Sequence, residues 1–222
     1  LMREGLVFKN AFSGHGLPQR VAAHATLATG RYPSEHGLMG PQQLENGAVV
    51  DAVVDGERHL VGAGTERDAL APNRLLSDGI GDRLRAARPE SKVFALGLDG
   101  ANAVALGGRK PTGAYWYDTW TGDFVSSEHY IKELPVWLST FNANDRPQTL
   151  MKEAWNLLRE PEFYEGRARP DDSPFEFDGE RHTFPHELAD GEVASREIVY
   201  RPAADRVLLE AAQRLISGES LG

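Results

Sequence analysis

The residues of this chain best suited to chemistry crowd into one stretch, Arg20 to Gly40. Among its side chains, the hydroxyls of Thr26 and Thr29 could attack an electrophile, and the imidazoles of His24 and His36 could hold a metal or carry a proton. Arg20 opens the stretch with a fixed positive charge able to hold an anion. Further along, Tyr115, Trp116, Tyr117 and Trp120 could stack on a sugar or a base, and Asp171-Asp172 sets two carboxylates side by side. Each group also has a structural use. Gln19 to Thr29 carries Val21, Ala22, Ala25 and Ala28 at helical spacing and stops at Gly30. Thr26 and Thr29 then lie well inside a helix, away from its anion-attracting end, where bonding back to the preceding turn is their expected job. Arg20 stands beside the positive end of the helix dipole, an unfavourable place for a cation. The four rings are expected to pack a hairpin against the core, and Asp171-Asp172 reads as solvated loop.

Other elements must position that stretch. Leu6 to Phe12 is expected as a strand, followed by a loop through Gly14 and Gly16. Val49–Val54 and Arg58–Val61 flank Asp55-Gly56, a hairpin turn signal. Pro72 to Ala87 has Leu75, Leu76, Ile80 and Leu84 on one helical face and ends before Pro89. Lys92–Leu98 is an apolar run of buried-strand type. Gly113–Asp118 and Asp123–Ser126 flank Thr121-Gly122 as a second hairpin, and Leu134–Phe141 reads as a short helix with Pro135 near its start. Residues 159–191, rich in Pro, Gly and charge, read as a long surface excursion. Pro202 to Ile216 places Val207, Leu208, Ala211, Ala212 and Leu215 at helical spacing before Ser217-Gly218. Strands alternating with helices predict an α/β domain with inserted β-hairpins. The repeated Asp-Gly-Glu-Arg-His, at Asp55–His59 and Asp178–His182, has no period. Leu1 to Gly5 resembles the last turn of a helix closed by glycine, and another strand is expected beyond the final helix. The chain therefore reads as a fragment of a longer domain.

Composition narrows the class. In 222 residues there are 24 Lys+Arg against 33 Asp+Glu, a formal charge of -9, 41% hydrophobic residues and no cysteine. The apolar fraction is that of an ordinary globular chain and excludes a disordered one. No cysteine excludes a disulfide scaffold, and no apolar run is long enough for a membrane-spanning helix. The acidic balance argues against nucleic acid as a partner, since such binding leaves a basic footprint.

The stretch from Arg20 to Gly40, with its His-x(4)-Thr-Gly-x-x-Pro-x-x-His-Gly spacing, resembles the alkaline phosphatase superfamily, specifically the threonine-nucleophile phosphatases and the type I phosphodiesterase–nucleotide pyrophosphatases. The likeness continues through Gly113–Asp118, Thr121-Gly122, Tyr130, Glu133-Leu134-Pro135, Trp137, Phe141-Asn142 and Phe184-Pro185-His186. It implies an alkaline-phosphatase-like sheet flanked by helices. Residues 1–222 would form a partial domain, with cap or insertion segments around 42–64 and 108–200.

The implied chemistry is zinc-assisted hydrolysis of small phosphate esters. A Thr or Ser at a helix N-terminus attacks phosphorus, while an Asn, a Lys and an Arg hold phosphate oxygens. Carried over position by position, the resemblance puts Arg20 at the nucleophile, Pro41 at the Asn, and Asp99 and Ala101 at the Lys and Arg. An Arg stays protonated and cannot attack, Pro41 has no N–H, and Asp99 repels phosphate. No catalytic, substrate-binding or metal residue is therefore assigned. The resemblance places its metal ligands outside this chain, partly in an Asp-x-x-x-His-x-x-Gly motif. Asp55, His59 and Gly62 match that motif, but too early in family order and at a turn sequence, so the turn is preferred to a zinc site. His24 and His36 are expected as buried structural histidines rather than ligands.

No cofactor is expected in this chain, against two zinc ions in intact relatives. The expectation is a phosphatase or phosphodiesterase scaffold, catalytically impaired here, with a non-catalytic anion-binding or interaction module as the alternative. An incomplete gene product without independent function is a third reading. Family analogy implies a periplasmic or secreted protein.

Overall fold

The computed structural model describes residues 4–10, 12, 14, 19–144, 149, 153–173, 183–187 and 196–221. Gly16, the Asp178–His182 echo and Leu1–Arg3 fall outside these. Helix α1 (Arg20–Thr29) buries Val21, Ala22, Ala25 and Ala28, as its spacing predicts, and Gly30 closes it in the left-handed region. A single turn, α2 (Pro33–His36), follows. Strands β1 (Gln42–Glu45) and β2 (Ala48–Asp51) pair with each other alone. The main sheet has five strands in the order β4-β3-β7-β6-β5. These are β3 (Val54–Val61), β4 (Asp68–Leu70), β5 (Phe94–Gly97), β6 (Gly113–Asp118) and β7 (Asp123–Ser127). The β5–β6 pair is parallel and the others antiparallel. The described residues also form helices α3 (Ile80–Ala87), α4 (Gly100–Gly107), α5 (Val136–Ala143) and α6 (Pro202–Gly218).

Alternation along the strands splits the core in two. Ala95, Ala114, Trp116 and Val125 join Val21 and Ala25 of α1 and Ala103–Ala105 of α4. Phe94, Leu96, Tyr115, Tyr117 and Phe124 instead meet Leu138 and Phe141 of α5 and Val207, Ala211 and Leu215 of α6. The sheet is thus covered by helices on both faces, an α/β architecture. Among the described residues no helix is long and apolar enough to cross a membrane.

Four expectations change. Asp55-Gly56 is not a turn: β3 runs straight through it, with a register shift between Asp55 and His59 against β4. The Asp55 carboxylate accepts the Glu57 N–H at 3.1 Å and Arg58 Nη1 at 2.6 Å, which holds the irregularity in place. The two-residue turn lies at Asn46-Gly47, where φ is 51° and 83° and β1 reverses into β2.

The helix expected over Pro72–Ala87 starts only at Ile80. The Gly79 N–H donates to the buried Asp82 carboxylate at 2.8 Å, which fixes an extended residue just ahead of the helix. Leu6 to Phe12 forms no strand over its described residues. Leu6, Phe8 and Phe12 are exposed, and no described strand pairs with them. Finally, α4 was not expected, because Gly100–Gly107 is mostly small and apolar, with Asn102 its one polar side chain, and lacks an amphipathic stripe. Gly107 lets α4 lie on the sheet: a Cβ there would stand 2.9 Å from that of Ala95.

The surface excursion is seen in its described parts, 159–173 and 183–187. They hold one short 3-10 turn, Pro161–Phe163, and a bridge from His186 to Trp155.

Candidate functional site

Helix α1 enters from Gln19 without a side-chain cap and with no acidic residue in its first turn, so Arg20 begins a helix end that already carries partial positive charge. Helix α4 packs against α1. It begins after Asp99, whose Oδ1 accepts the Asn102 N–H at 2.8 Å. That N-cap explains why α4 starts at Gly100. Between the two helix starts lies a cavity of about 570 Å³ whose lining includes Arg20, His24, Asp99, Asn102 and Thr119 over Leu96, Leu98 and Leu208.

Of the four positions singled out in the sequence, Arg20 and Asp99 therefore meet in one cavity. Pro41 and Ala101 do not line it. Pro41 is exposed and accepts the Ala52 N–H through its carbonyl, while Ala101 packs against the α1–α4 core. Arg20 is exposed, and its side chain has no ion pair among the described residues. The sequence reading missed Asn102 and Thr119. Asn102 was legible only as the fourth residue of an Asp-x-x-Asn start, and that start was hidden because α4 itself was not expected. The buried Asn102 Oδ1 has no partner among the described residues.

The histidines divide. His36 is fully buried, accepts the Leu38 N–H on Nδ1 at 3.2 Å and meets Thr26 Oγ1 through Nε2 at 3.0 Å. With Nδ1 accepting, Nε2 carries the proton and Thr26 is the acceptor. His24 is only half-buried, and its Nδ1 donates to the Arg20 carbonyl at 2.7 Å. Thr29 bonds back to the Ala25 carbonyl at 2.7 Å as expected, whereas Thr26 is taken by His36 instead. Neither hydroxyl lines the cavity. Tyr115, Trp116 and Tyr117 are buried in the sheet; Trp120 is exposed, under the Arg196 guanidinium at 4.5 Å. Burial pushes the Tyr115 hydroxyl up to about 12 and also raises those of Tyr117 and Tyr130, which makes them poor sources of an oxyanion near neutral pH.

Carboxylates near the sheet serve as struts. Asp118 ends β6 and receives Arg67 on both oxygens, at 3.0 and 2.5 Å, with Thr121 Oγ1 at 2.8 Å. Burial alone would raise its pKa; the Arg67 and Thr121 bonds outweigh that and hold it below the ordinary value. Asp55 is held below its ordinary value in the same way, burial being outweighed by Arg58 and the Glu57 N–H.

Zinc chemistry needs several carboxylate or imidazole donors around one point. The described lining of this cavity supplies one imidazole, His24, and one carboxylate, Asp99, which has an oxygen committed to Asn102. No group of three or more His, Asp or Glu able to hold a metal occurs among the described residues. These residues do not fit a zinc pair.

No family model matches the chain. It is 31% identical over 231 residues to the alkaline phosphatase PhoV of Synechococcus elongatus, which spans 100% of this chain and 42% of PhoV. The crystal structure of wild-type alkaline phosphatase PafA superposes with a TM-score of 0.80 at 28% identity, over 91% of this chain and 40% of that one. The chain fits the alkaline phosphatase superfamily. It spans about 40% of the length of these relatives.

Within the superfamily, a PafA variant substituted at a threonine, an asparagine, a lysine and an arginine matches with a TM-score of 0.84 at 30% identity, over 92% of this chain and 41% of that one. Its threonine and asparagine lie 21 positions apart and its lysine and arginine two apart. Arg20 and Pro41, and Asp99 and Ala101, repeat those two spacings.

Proposed function

We propose that this chain carries the scaffold of a metal-dependent phosphate-ester hydrolase, a phosphatase or phosphodiesterase in the manner of its alkaline phosphatase relatives, and that it is itself catalytically impaired. One observation carries the reading: the cavity at the start of α1 presents Arg20 and Asp99 where phosphoryl transfer calls for a hydroxyl and for cations. A guanidinium remains protonated and has no lone pair to place on phosphorus. Asp99 spends one oxygen on the α4 cap and sets negative charge where an incoming phosphate would gather its own. The matched spacings support assigning Arg20, Pro41, Asp99 and Ala101 to the nucleophile, Asn, Lys and Arg positions.

On this reading small phosphate esters, rather than nucleic acid or a membrane surface, are the ligands to which the scaffold is suited, and a periplasmic or secreted setting follows that of the family. Residues 1–222 make up part of an alkaline-phosphatase-like domain. Its cap and insertion segments fall around 42–64 and 108–200, with β6 and β7 of the latter built into the central sheet. The alternative, an anion-binding or interaction module, draws on Arg20, and Asp99 in the same cavity weighs against it.

An aryl phosphate assay of the purified chain with added zinc tests the proposal. Release of the phenolate is expected to stay at the level of the zinc-containing buffer. Zinc-dependent turnover above that level, whether or not Arg20→Ala changes it, would sink the reading.

A further inference from the structure

We propose that Asp99 acts as a resident anion that closes the Arg20 cavity to free phosphate; the inference rests on the functional reading above only in taking this cavity as the former reaction site. Helix α4 has no acidic residue in its first turn, so the Asp99 carboxylate alone supplies negative charge at that helix start, through its bond to the Asn102 N–H at 2.8 Å. Arg20 faces the same cavity and has no ion-pair partner among the described residues. Because α1 and α4 pack together, Arg20, the first residue of α1, and Asp99, the N-cap of α4, stand at the starts of neighbouring helices. A phosphate dianion entering the cavity gains attraction from one guanidinium and meets repulsion from one carboxylate. Both charges are exposed and screened by water, and their effects on the phosphate oppose each other. At the α4 start the Asn102 N–H, which would otherwise welcome an anion, is already taken by Asp99. The cavity keeps its cation and loses its affinity.

Asp99→Asn separates charge from architecture. Asn caps a helix start as well as Asp does, so this variant keeps the bond to the Asn102 N–H and deletes only the negative charge. Calorimetry with inorganic phosphate at mildly alkaline pH is the measurement. The wild-type chain is expected to give no saturable heat. Asp99→Asn is expected to bind at least about tenfold more tightly than any residual wild-type affinity, and adding Arg20→Ala should abolish that gain. The difference should narrow as sodium chloride rises from about 0.05 to 0.5 M, because both charges are exposed. Asp99→Ser, which also caps, replaces the Asn variant if the latter does not fold.

Saturable binding by the wild type equal to that of the variant overturns the proposal, as does the absence of binding by a folded capping variant. Inorganic phosphate is not an ester, so this result reads the cavity alone. Aryl phosphate turnover by the wild type would count against the functional reading, and equal phosphate affinity in wild type and variant against this one.

Discussion

Asp118 illustrates how a buried carboxylate in this chain serves structure. Its side chain is 8% exposed and that of Arg67 28%, and the two-pronged pair ties the end of β6 to the segment between β3 and β4. Asp118→Asn leaves the guanidinium without its counter-charge. Unfolding free energy should fall by about 2 kcal/mol, less than for a fully buried pair because Arg67 keeps contact with water. The pH dependence follows from the depressed pKa. The folded-state carboxyl ionises below its unfolded value, so its contribution is complete above roughly pH 4 and is lost as pH falls through the folded value. Urea unfolding of the two proteins should therefore show a constant gap between pH 6 and 8 that closes in acid. A gap that widens toward low pH would contradict the assignment. Nothing in the sequence marked Arg67 as the partner of Asp118, since the two are distant in the chain and meet only through the sheet. Thr29, by contrast, was legible, because its acceptor is its own helix.

Among the elements, those whose evidence is local were readable: α1, the β6–β7 hairpin, α5 and α6 all lie near where periodicity places them. The reading failed where two local signals competed. Asp55-Gly56 and Asn46-Gly47 are both hairpin dipeptides, and only the strand ladders decide between them. The structure makes opposite forecasts for their glycines. Gly47 sits at φ 83° in open space, so Gly47→Ala should cost about 1 kcal/mol through backbone strain alone. Gly56 lies in extended β3 with nothing within 4 Å of a built Cβ, so Gly56→Ala should be neutral or slightly stabilising. Thermal unfolding of both variants checks the assignment, and equal destabilisation would return the turn to Asp55-Gly56. Helix α4 was missed for a different reason. A helix buried on most sides has no polar face to reveal its period, and with it the cap role of Asp99 stayed hidden.

At the scale of the whole molecule, the candidate site was legible as a set of substitutions but not as a place: the resemblance named Arg20 and Asp99, and only the packing of α1 on α4 put them in one cavity. Stability should reflect the same arrangement. An ion that binds the folded chain alone stabilises it by RT ln(1 + [L]/Kd), about 2.7 kcal/mol at a hundred times Kd. For a chain of this size that corresponds to roughly 5–10 °C in Tm. The cavity lining offers His24 and a partly committed Asp99, too few donors to bind zinc at that level. The melting temperature of the chain is therefore expected to be the same, within about 1 °C, in a chelator and in a modest excess of zinc. Asp55→Ala with His59→Ala should leave that insensitivity unchanged, because Asp55 is paired with Arg58 and His59 lies across from Asp68 in the β3–β4 pairing. A rise of several degrees with zinc, lost in that double variant, would place a metal on β3 and restore the reading that the sequence set aside in favour of a turn.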